Sequence, residues 1–330
     1  RDSWEVRIPE GVREVIGRRL DKLSERCNEV LTVASVIGRE FTLDLLEAVV
    51  EDITVDRLLD VLDEALASRL ITEDRAVVGQ YQFTHAVIQE TLREELSATR
   101  RVRLHARIAP VLETQYGDDA DANAAVLASH FAEAETVLGT DKLVHYSVLA
   151  GHAASAAFAW QEAVDRYETA INATTASSDA PAAMNEETAE VLMQLALAES
   201  ALLRKEDANS TAQKVLDYFI THGRLSEAVD FITLPQLANP ELITKALNLA
   251  ATNSHEAGKL LAWHGLFISI EGDEDEADEA FDSAAAIAQR EGDRHLELRT
   301  WINSTVVVLL GLRLDMADLR KTLRIIELAQ

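Results

Sequence analysis

The sequence predicts a mainly α-helical fold. Proline is scarce, at 5 of 330 residues, while alanine and leucine, two of the strongest helix formers, are abundant. Apolar residues recur every three or four positions along most of the chain, which is the period of one face of a helix. A single short stretch near residue 80 alternates as a strand does, so β structure is expected there.

The N-terminal third predicts a series of helices with recognisable ends. A helix from residue 25 should stop at Gly38, because glycine ends helices readily. A short second helix follows Thr42, and a strongly amphipathic third helix follows Thr54. Both threonines are suitable caps, since their hydroxyl groups accept a hydrogen bond from the first turn.

The period then changes in the segment LITEDRAVVGQYQFTH. It indicates two short strands, at about 70–73 and 79–83, with a polar turn between them. The next helix, which contains residues 86–96, is expected to use Thr84 as its cap. Three helices, a two-stranded wing and a closing helix are the pattern of a winged-helix domain, predicted here over residues 25–98.

The remaining chain, residues 99–330, predicts a tetratricopeptide-like α-solenoid. Two segments share small, small, aromatic and small residues at offsets 0, 12, 16 and 19, which match positions 8, 20, 24 and 27 of that repeat. A weaker third unit has alanine in place of the aromatic residue. The residues are Gly151, Ala163, Tyr167 and Ala170; Gly265, Ala277, Phe281 and Ala284; and Ala196, Ala208 and Ala212.

This register predicts a recognition surface on the inner helices, because stacked repeats present one face of those helices to a ligand. The equally open alternative is that the same side chains only pack between helices. The predicted partner-binding residues are His145, Val148, His152, Ser155, Glu190, Met193, Leu197, Lys259, Ala262 and Leu266.

The net charge of −26 predicts a surface that repels phosphate backbones and anionic lipid. The third predicted helix, TVDRLLDVLDEALASRL, carries four carboxylates against two arginines, so its field opposes DNA. We therefore expect that this chain binds no nucleic acid and no membrane. The single cysteine, Cys27, and the shortness of the apolar runs favour a cytoplasmic location.

Catalytic and metal-binding motifs are not evident in the sequence. The Gly258–Lys259 pair is followed by leucine, so it does not complete a phosphate-binding loop. The acidic run GDEDEADEAFD lacks the glycine of a calcium loop and fits the start of a helix better. We expect no catalytic residue, no metal site and no cofactor held by this chain itself.

Two stretches carry a family resemblance. IPEGVREVIGRRLDKLSERCNEVLTVASVIGREFTLDLLEAV and YQFTHAVIQETLREELSATRRVRLHARIAPVLE resemble the region after the nucleotide-binding core of bacterial STAND-type signalling ATPases. Such proteins are often fused to a cyclase, a kinase or a LuxR-type DNA-binding domain. The resemblance, over about residues 8–115, implies that this chain is part of a longer protein. It also implies that residues 1–24 are a linker helix from an upstream domain that binds ATP or ADP.

The same resemblance assigns a role to His85. In the family, a winged-helix histidine in a Met-His-Asp-type motif touches the β-phosphate of ADP and holds the off state. QFTHAVIQETL matches in placement, although Ala86 stands where the motif has aspartate. The alternative is that His85 caps the helix or packs under the wing.

These observations predict a regulatory region: the repeats bind a protein, peptide or small-molecule inducer, and the winged helix relays this to the nucleotide-binding domain. Two alternatives are a stand-alone helical scaffold for protein–protein interaction and a DNA-binding winged-helix regulator of transcription.

Overall fold

The computed structural model describes residues 16–176 and 184–309. Two compact units divide the chain, Arg1–Ala150 and Gly151–Gln330, and a helix runs across the division. The predicted boundaries after residues 24 and 98 remain predictions, and the first 15 residues of the predicted linker helix lie outside the described part. Its described portion is residues 16–24, of which 16–20 are helical and 21–24 are not.

Unit 1 is built from short helices around a small sheet, in agreement with the predicted mainly α fold. The elements in chain order are α1 Glu25–Ile37, β1 Glu40–Thr42, α2 Leu43–Val49, α3 Val55–Ala67, β2 Ile71–Glu73, β3 Gln80–Phe83, α4 Ala86–Glu94, α5 Ala98–Tyr116, α6 Ala124–Glu133, α7 Glu135–Leu138 and α8 Asp141–Ala156, which continues into unit 2.

The sheet has three antiparallel strands in the order β1-β3-β2. Strands β2 and β3 were predicted, whereas β1 was missed because it exists only through its pairing with the distant β3. Strand β1 contributes Phe41, whose ring lies 6.0 Å from Tyr81 and 5.5 Å from Phe83. This aromatic group, buried on one face, joins the strands to the helices beneath.

The predicted helix ends are largely correct. Helix α1 ends at Gly38, and the Thr42 hydroxyl accepts a hydrogen bond from the Leu45 N–H at 3.2 Å. Thr54 occupies the cap of α3 without a side-chain hydrogen bond. The prediction for Thr84 is wrong. His85 occupies the N-cap position of α4, without a side-chain hydrogen bond, and the Thr84 hydroxyl instead donates to the backbone carbonyls of Arg69 and Leu70, just before β2.

A buried histidine pair joins α5 to α6. The Nδ1 atoms of His105 and His130 lie 3.0 Å apart, so one neutral ring donates to the other, and His130 also hydrogen-bonds the Ile37 carbonyl at the end of α1. Burial lowers the pKa of each histidine to about 4, and nearby Arg93 acts in the same direction. The pair is therefore a neutral structural contact at pH 7.

Unit 2 is a stack of antiparallel helix pairs. Its further helices are α9 Trp160–Ala176, α10 Glu186–Ala201, α11 Lys205–Thr221, α12 Leu225–Ile232, α13 Pro240–Leu247, α14 His255–Glu271, α15 Glu274–Glu291 and α16 Arg294–Leu309. Helices α12 and α13 have only eight residues each, which explains the irregular spacing of the repeat pattern.

The glycines at position 8 of the repeats are required by the aromatic rings at position 24. A Cβ atom on Gly151 would lie 2.5 Å from the Tyr167 ring, and one on Gly265 would lie 2.9 Å from the Phe281 ring. In the third unit both positions are alanine, Ala196 and Ala212, and both are fully buried. Glycine at position 8 is thus paired with an aromatic ring at position 24, whereas the third unit fills the same space with two alanine methyl groups.

We predict that Gly265→Ala lowers the free energy of unfolding by about 1–3 kcal/mol, because the added methyl overlaps a buried ring. Gly17→Ala is the matched control: it lies in a helix with nothing within 4 Å of its Cβ position. That substitution should be neutral or stabilising by up to about 1 kcal/mol, since alanine favours helix. Urea unfolding measures both, and equal effects at the two sites would contradict the packing argument.

A second prediction concerns acid stability. Both histidines have a folded pKa near 4 and an unfolded pKa near 6.5, so the unfolded chain binds more protons between these values. Stability is therefore complete above pH 6.5 and is lost as pH falls toward 4, by up to about 1.4 kcal/mol per pH unit for each histidine. Urea unfolding across this range measures the slope.

The variant His105→Gln/His130→Gln should flatten that slope, because neither side chain then titrates. Gly17→Ala, which changes no titratable group, provides the control and should leave the slope unchanged. An unaltered slope in the double variant would mean that other groups cause the acid sensitivity.

Candidate functional site: a groove on the helical repeats

Two adjoining cavities in unit 2 form the candidate site, which we name the inner groove. The first, of about 390 Å³, lies among α10, α11 and α12, and the second, of about 310 Å³, lies among α12, α14 and α16. Asp230 lines both cavities, so they adjoin on the repeats. Helices α10 and α14 are two of the three helices on which the sequence predicted recognition, the other being α8, whereas α12 carries none of the predicted partner-binding residues.

Arg224 organises the first cavity. Its guanidinium donates to both carboxylate oxygens of Glu227 and, through Nη1, to Glu186 at 2.8 Å, and it lies 5.0 Å from the centre of the Phe219 ring. Hydrogen bonds from Arg224 lower the pKa of Glu227. The arginine thus pairs with two carboxylates, one on α10 and one on α12, and fixes the wall of the cavity. Met193 and Phe231 supply apolar lining.

Trp263 forms the wall of the second cavity. Its indole N–H donates to the Thr233 carbonyl at 3.0 Å, and the guanidinium of Arg299 lies 5.5 Å from the ring centre. Lys259 Nζ is 2.5 Å from Asp230 Oδ1, which closes an ion pair between α14 and α12. Trp263 is only 8% exposed, so its indole fixes the shape of the cavity wall and offers little area to a ligand.

Asp293 holds the end of this wall. Its carboxylate accepts hydrogen bonds from the backbone N–H groups of His295 and Leu296, at 2.9 and 3.0 Å, and contacts His255 Nε2 at 2.7 Å. Partial burial raises the pKa of Asp293, but these hydrogen bonds outweigh burial and lower it overall. The capped turn positions α16 and so places Arg299 and Ile302 along the cavity.

The groove therefore combines apolar walls with a surplus of carboxylates. Five acidic side chains and three cationic side chains line it; Arg224 and Lys259 are already paired, and Arg299 lies over the Trp263 ring. Glu190 has no hydrogen bond or ion pair within the described residues. This chemistry suits a peptide or protein segment that offers apolar side chains together with lysine or arginine.

The structure distributes the ten predicted partner-binding residues unevenly. Glu190, Met193 and Lys259 line the groove. His145 and Val148 belong to unit 1, and His145 Nε2 lies 3.8 Å from Asp121. His152 is exposed and packs edge-on against Tyr167, while Ser155 hydrogen-bonds the Tyr167 hydroxyl at 3.3 Å. Leu197 is half-buried.

Ala262 and Leu266 are core residues, exposed by 0% and 9%. Ala262 packs with Ala284 and Ile287 of α15, so for this position the alternative of packing between helices applies. Partner binding by the exposed residues remains a prediction. The sequence analysis missed Trp263, Arg299 and Arg224, because their convergence depends on how successive repeats stack.

The structure places His85 on the surface at the start of α4. Its side chain makes no capping hydrogen bond and is exposed, so it neither caps the helix nor packs under the wing. Cys27 is buried, and burial raises the pKa of its thiol to about 12. Within the described residues, no group of three or more potential metal ligands occurs, and no helix has the length and apolarity needed to cross a bilayer.

The acidic run at residues 272–282 begins a helix, as predicted. Asp273 caps α15 by accepting a hydrogen bond from the Glu276 N–H, and three further acids occupy the first turn. Carboxylates there are stabilised by the exposed N–H groups and the helix dipole.

Comparison with known proteins gives limited information. No family model matches the chain. It is 30% identical over 185 residues to the uncharacterized protein R02095 of Rhizobium meliloti (strain 1021), which covers 56% of this chain and 17% of that protein. The chain thus spans about one sixth of the length of this curated relative.

A solved structure similar to the chain is that of a Signal Transduction ATPase with Numerous Domains (STAND) protein with a tetratricopeptide repeat sensor, PH0952, from Pyrococcus horikoshii. The identity is 12%, the similarity covers 90% of this chain and 50% of that one, and the TM-score is 0.33. A TM-score this low does not establish a common fold.

We predict that Asp293→Ala lowers the free energy of unfolding by about 1 kcal/mol, because the first turn of α16 loses its cap. Asp293→Asn should cost less, since the amide oxygen still accepts the backbone hydrogen bonds. Thermal or urea unfolding distinguishes them, with exposed Glu279→Ala as the control. Equal losses for Ala and Asn would assign the effect to the contact with His255 instead of the cap.

Proposed function

We propose that this chain is the regulatory and sensing region of a STAND-type signalling ATPase of the cytoplasm. In this proposal the helical repeats bind a protein, peptide or small-molecule inducer, and a winged-helix domain relays that event to an upstream nucleotide-binding domain. The inner groove is the observation that carries the sensing role, because it combines apolar lining with a surplus of carboxylates and is held in shape by the ion pairs of Arg224 and Lys259. The sequence resemblance over residues 8–115 supports the relay.

The order of elements in unit 1 supports a winged-helix domain over residues 25–98. Helix α1, strand β1, helices α2 and α3, and the β2–β3 hairpin follow one another, and β3 lies between β1 and β2. This is the arrangement expected of a helical domain with a wing, and α4 closes it.

The exposed face of α3 argues against DNA binding as the role of this domain. Asp56, Asp60 and Asp63 are exposed, and the one basic side chain within the helix, Arg57, lies 3.7 Å from Asp60. A recognition helix with this charge would meet repulsion from the phosphates. We therefore propose a protein-facing role for the winged helix, and no nucleic acid as partner of this chain.

His85 is the proposed contact to the nucleotide. Its exposure and its position between β3 and α4 leave the ring available to a neighbouring domain. An imidazole N–H can donate to a phosphate oxygen. One histidine cannot replace the several donors that a polyphosphate needs, so the isolated chain is proposed to bind neither ATP nor ADP and to have no catalytic activity of its own.

We predict that His85→Ala in the full-length protein raises basal ATP hydrolysis by roughly ten- to a hundred-fold. One charge-assisted hydrogen bond to phosphate is worth about 1.5–3 kcal/mol, and its loss from the off state alone shifts the equilibrium by that factor. The same substitution should change the stability of this chain by less than about 0.5 kcal/mol, because the side chain is exposed.

Steady-state hydrolysis and urea unfolding together decide the outcome. A substantial loss of stability with unchanged hydrolysis would make His85 a structural residue. Unchanged values in both measurements would remove the proposed role. His85→Gln, which keeps a hydrogen-bond donor, serves as the conservative control and should retain low basal activity.

A further inference from the structure

In three repeats of unit 2, the turn that joins the two helices places a corresponding residue in a left-handed conformation. The residue seven positions after Gly151, Ala196 and Gly265 is, respectively, Phe158, Leu203 and Gly272. Their φ angles are 58°, 60° and 100°. The repeat of Gly265 uses glycine, which adopts such a φ angle without steric cost, whereas the repeats of Gly151 and Ala196 use large side chains.

Phe158 and Leu203 are unfavourable at these positions for two separate reasons. A side chain with a Cβ atom is strained in the left-handed region. Both side chains are also largely in solvent, exposed by 76% and 81%, so neither gains from burial. Local stability therefore favours glycine at both turns, as Gly272 shows in the repeat of Gly265, and does not account for the large apolar residues.

The two turns lie side by side on one edge of the repeats. Arg204, next to Leu203, donates through Nη2 to Gln161 Oε1 at 2.6 Å, which ties the second turn to the start of α9. The Phe158 ring meets Trp160 edge-to-face at 5.7 Å between ring centres. We name the surface of Phe158, Trp160 and Leu203 the turn edge. A cavity of about 590 Å³ opens beside Trp160.

Acidic groups surround the turn edge. Glu162 and Asp165 line the cavity beside Trp160, and Glu206 and Asp207 occupy the first turn of α11 next to Leu203. The nearby arginines are engaged: Arg166 lies 3.8 Å from Glu162, and Arg204 is held by Gln161. An apolar surface with carboxylates at its rim is complementary to apolar side chains that have lysine or arginine beside them.

We propose that the turn edge is a docking surface for a protein segment that carries aromatic or aliphatic residues next to basic ones. Phe158 and Leu203 insert between the apolar side chains of that segment, and the carboxylates pair with its cations. This surface is separate from the inner groove, and the proposal does not depend on the inner groove or on the nucleotide switch.

The double variant Phe158→Gly/Leu203→Gly tests the proposal, because it removes the apolar side chains and relieves the strained turns together. Its melting temperature should equal or exceed that of the wild type, while docking is lost. Leu249→Ser is the matched control, since Leu249 is an apolar side chain of unit 2 exposed by 52%. A clear fall in the melting temperature of the double variant would show that the two residues are structural, and would overturn the proposal.

The probe is a library of random 12-residue peptides displayed on phage, selected on the 330-residue wild-type chain and counter-selected on the double variant. We expect enriched peptides with aromatic or aliphatic residues beside lysine or arginine. The synthesised consensus peptide should bind the double variant at least tenfold more weakly than wild type and should bind the Leu249→Ser variant equally well, as fluorescence anisotropy measures.

The contrary outcomes are distinct. Enrichment of acidic peptides, or of none, would overturn the assigned chemistry. A consensus peptide that binds the double variant as well as wild type but fails to bind the Glu190→Lys variant would place all binding in the inner groove and overturn the proposal. A peptide that loses binding only to the double variant supports the turn edge and leaves the groove proposal untouched. Sedimentation that shows self-association of the wild type but not of the double variant would make the occupant a second copy and overturn the peptide assignment.

Discussion

The close approach of an inner-helix glycine to an aromatic ring is the contact on which the helical array depends. The Tyr167 and Phe281 rings occupy the space in which Gly151 and Gly265 would otherwise carry a side chain. Each ring therefore fixes the separation of the two helices in its repeat, because interiors packed at crystal-like density tolerate little change in volume. The faces of the first helices that line the groove owe their placement to this spacing.

Charge pairing is the second organising feature, and it follows from the excess of acids. In a chain with a net charge of −26, two of the cations that line the groove pair with carboxylates on another helix. Arg224 joins Glu186 and Glu227, and Lys259 joins Asp230 across helices. Exposed pairs of this kind contribute little to stability. Their value here is geometric, since they hold the walls and leave carboxylate as the charge available to a ligand.

Helices, caps and repeat register were predictable from the sequence because they rest on local patterns. Strand β1 and the role of Thr84 were not, because both are set by pairing with the hairpin some 15 to 40 residues away along the chain. The residues of the inner groove fall into the same two classes, those that local patterns predict and those that converge only in the folded chain. Glu190, Met193 and Lys259 followed from register, whereas Trp263 and Arg299 converge only when α16 packs beside α14. Buried Ala262 shows that register identifies a helix face but not which side chains solvent reaches.

The turns of the repeats show where local rules and this sequence disagree. In natural proteins the local conformational preference of a residue usually agrees with the overall fold, and exceptions concentrate where a requirement other than folding selects the residue. Gly272 satisfies the left-handed turn, so the fold of unit 2 provides its own reference for what that position requires. Phe158 and Leu203 depart from this reference in consecutive repeats, in the same direction and on the same edge. Two chance departures would not need to share size, apolarity and exposure. Their agreement, measured against Gly272 in the same chain, indicates selection for the surface they form rather than for the turns that carry them.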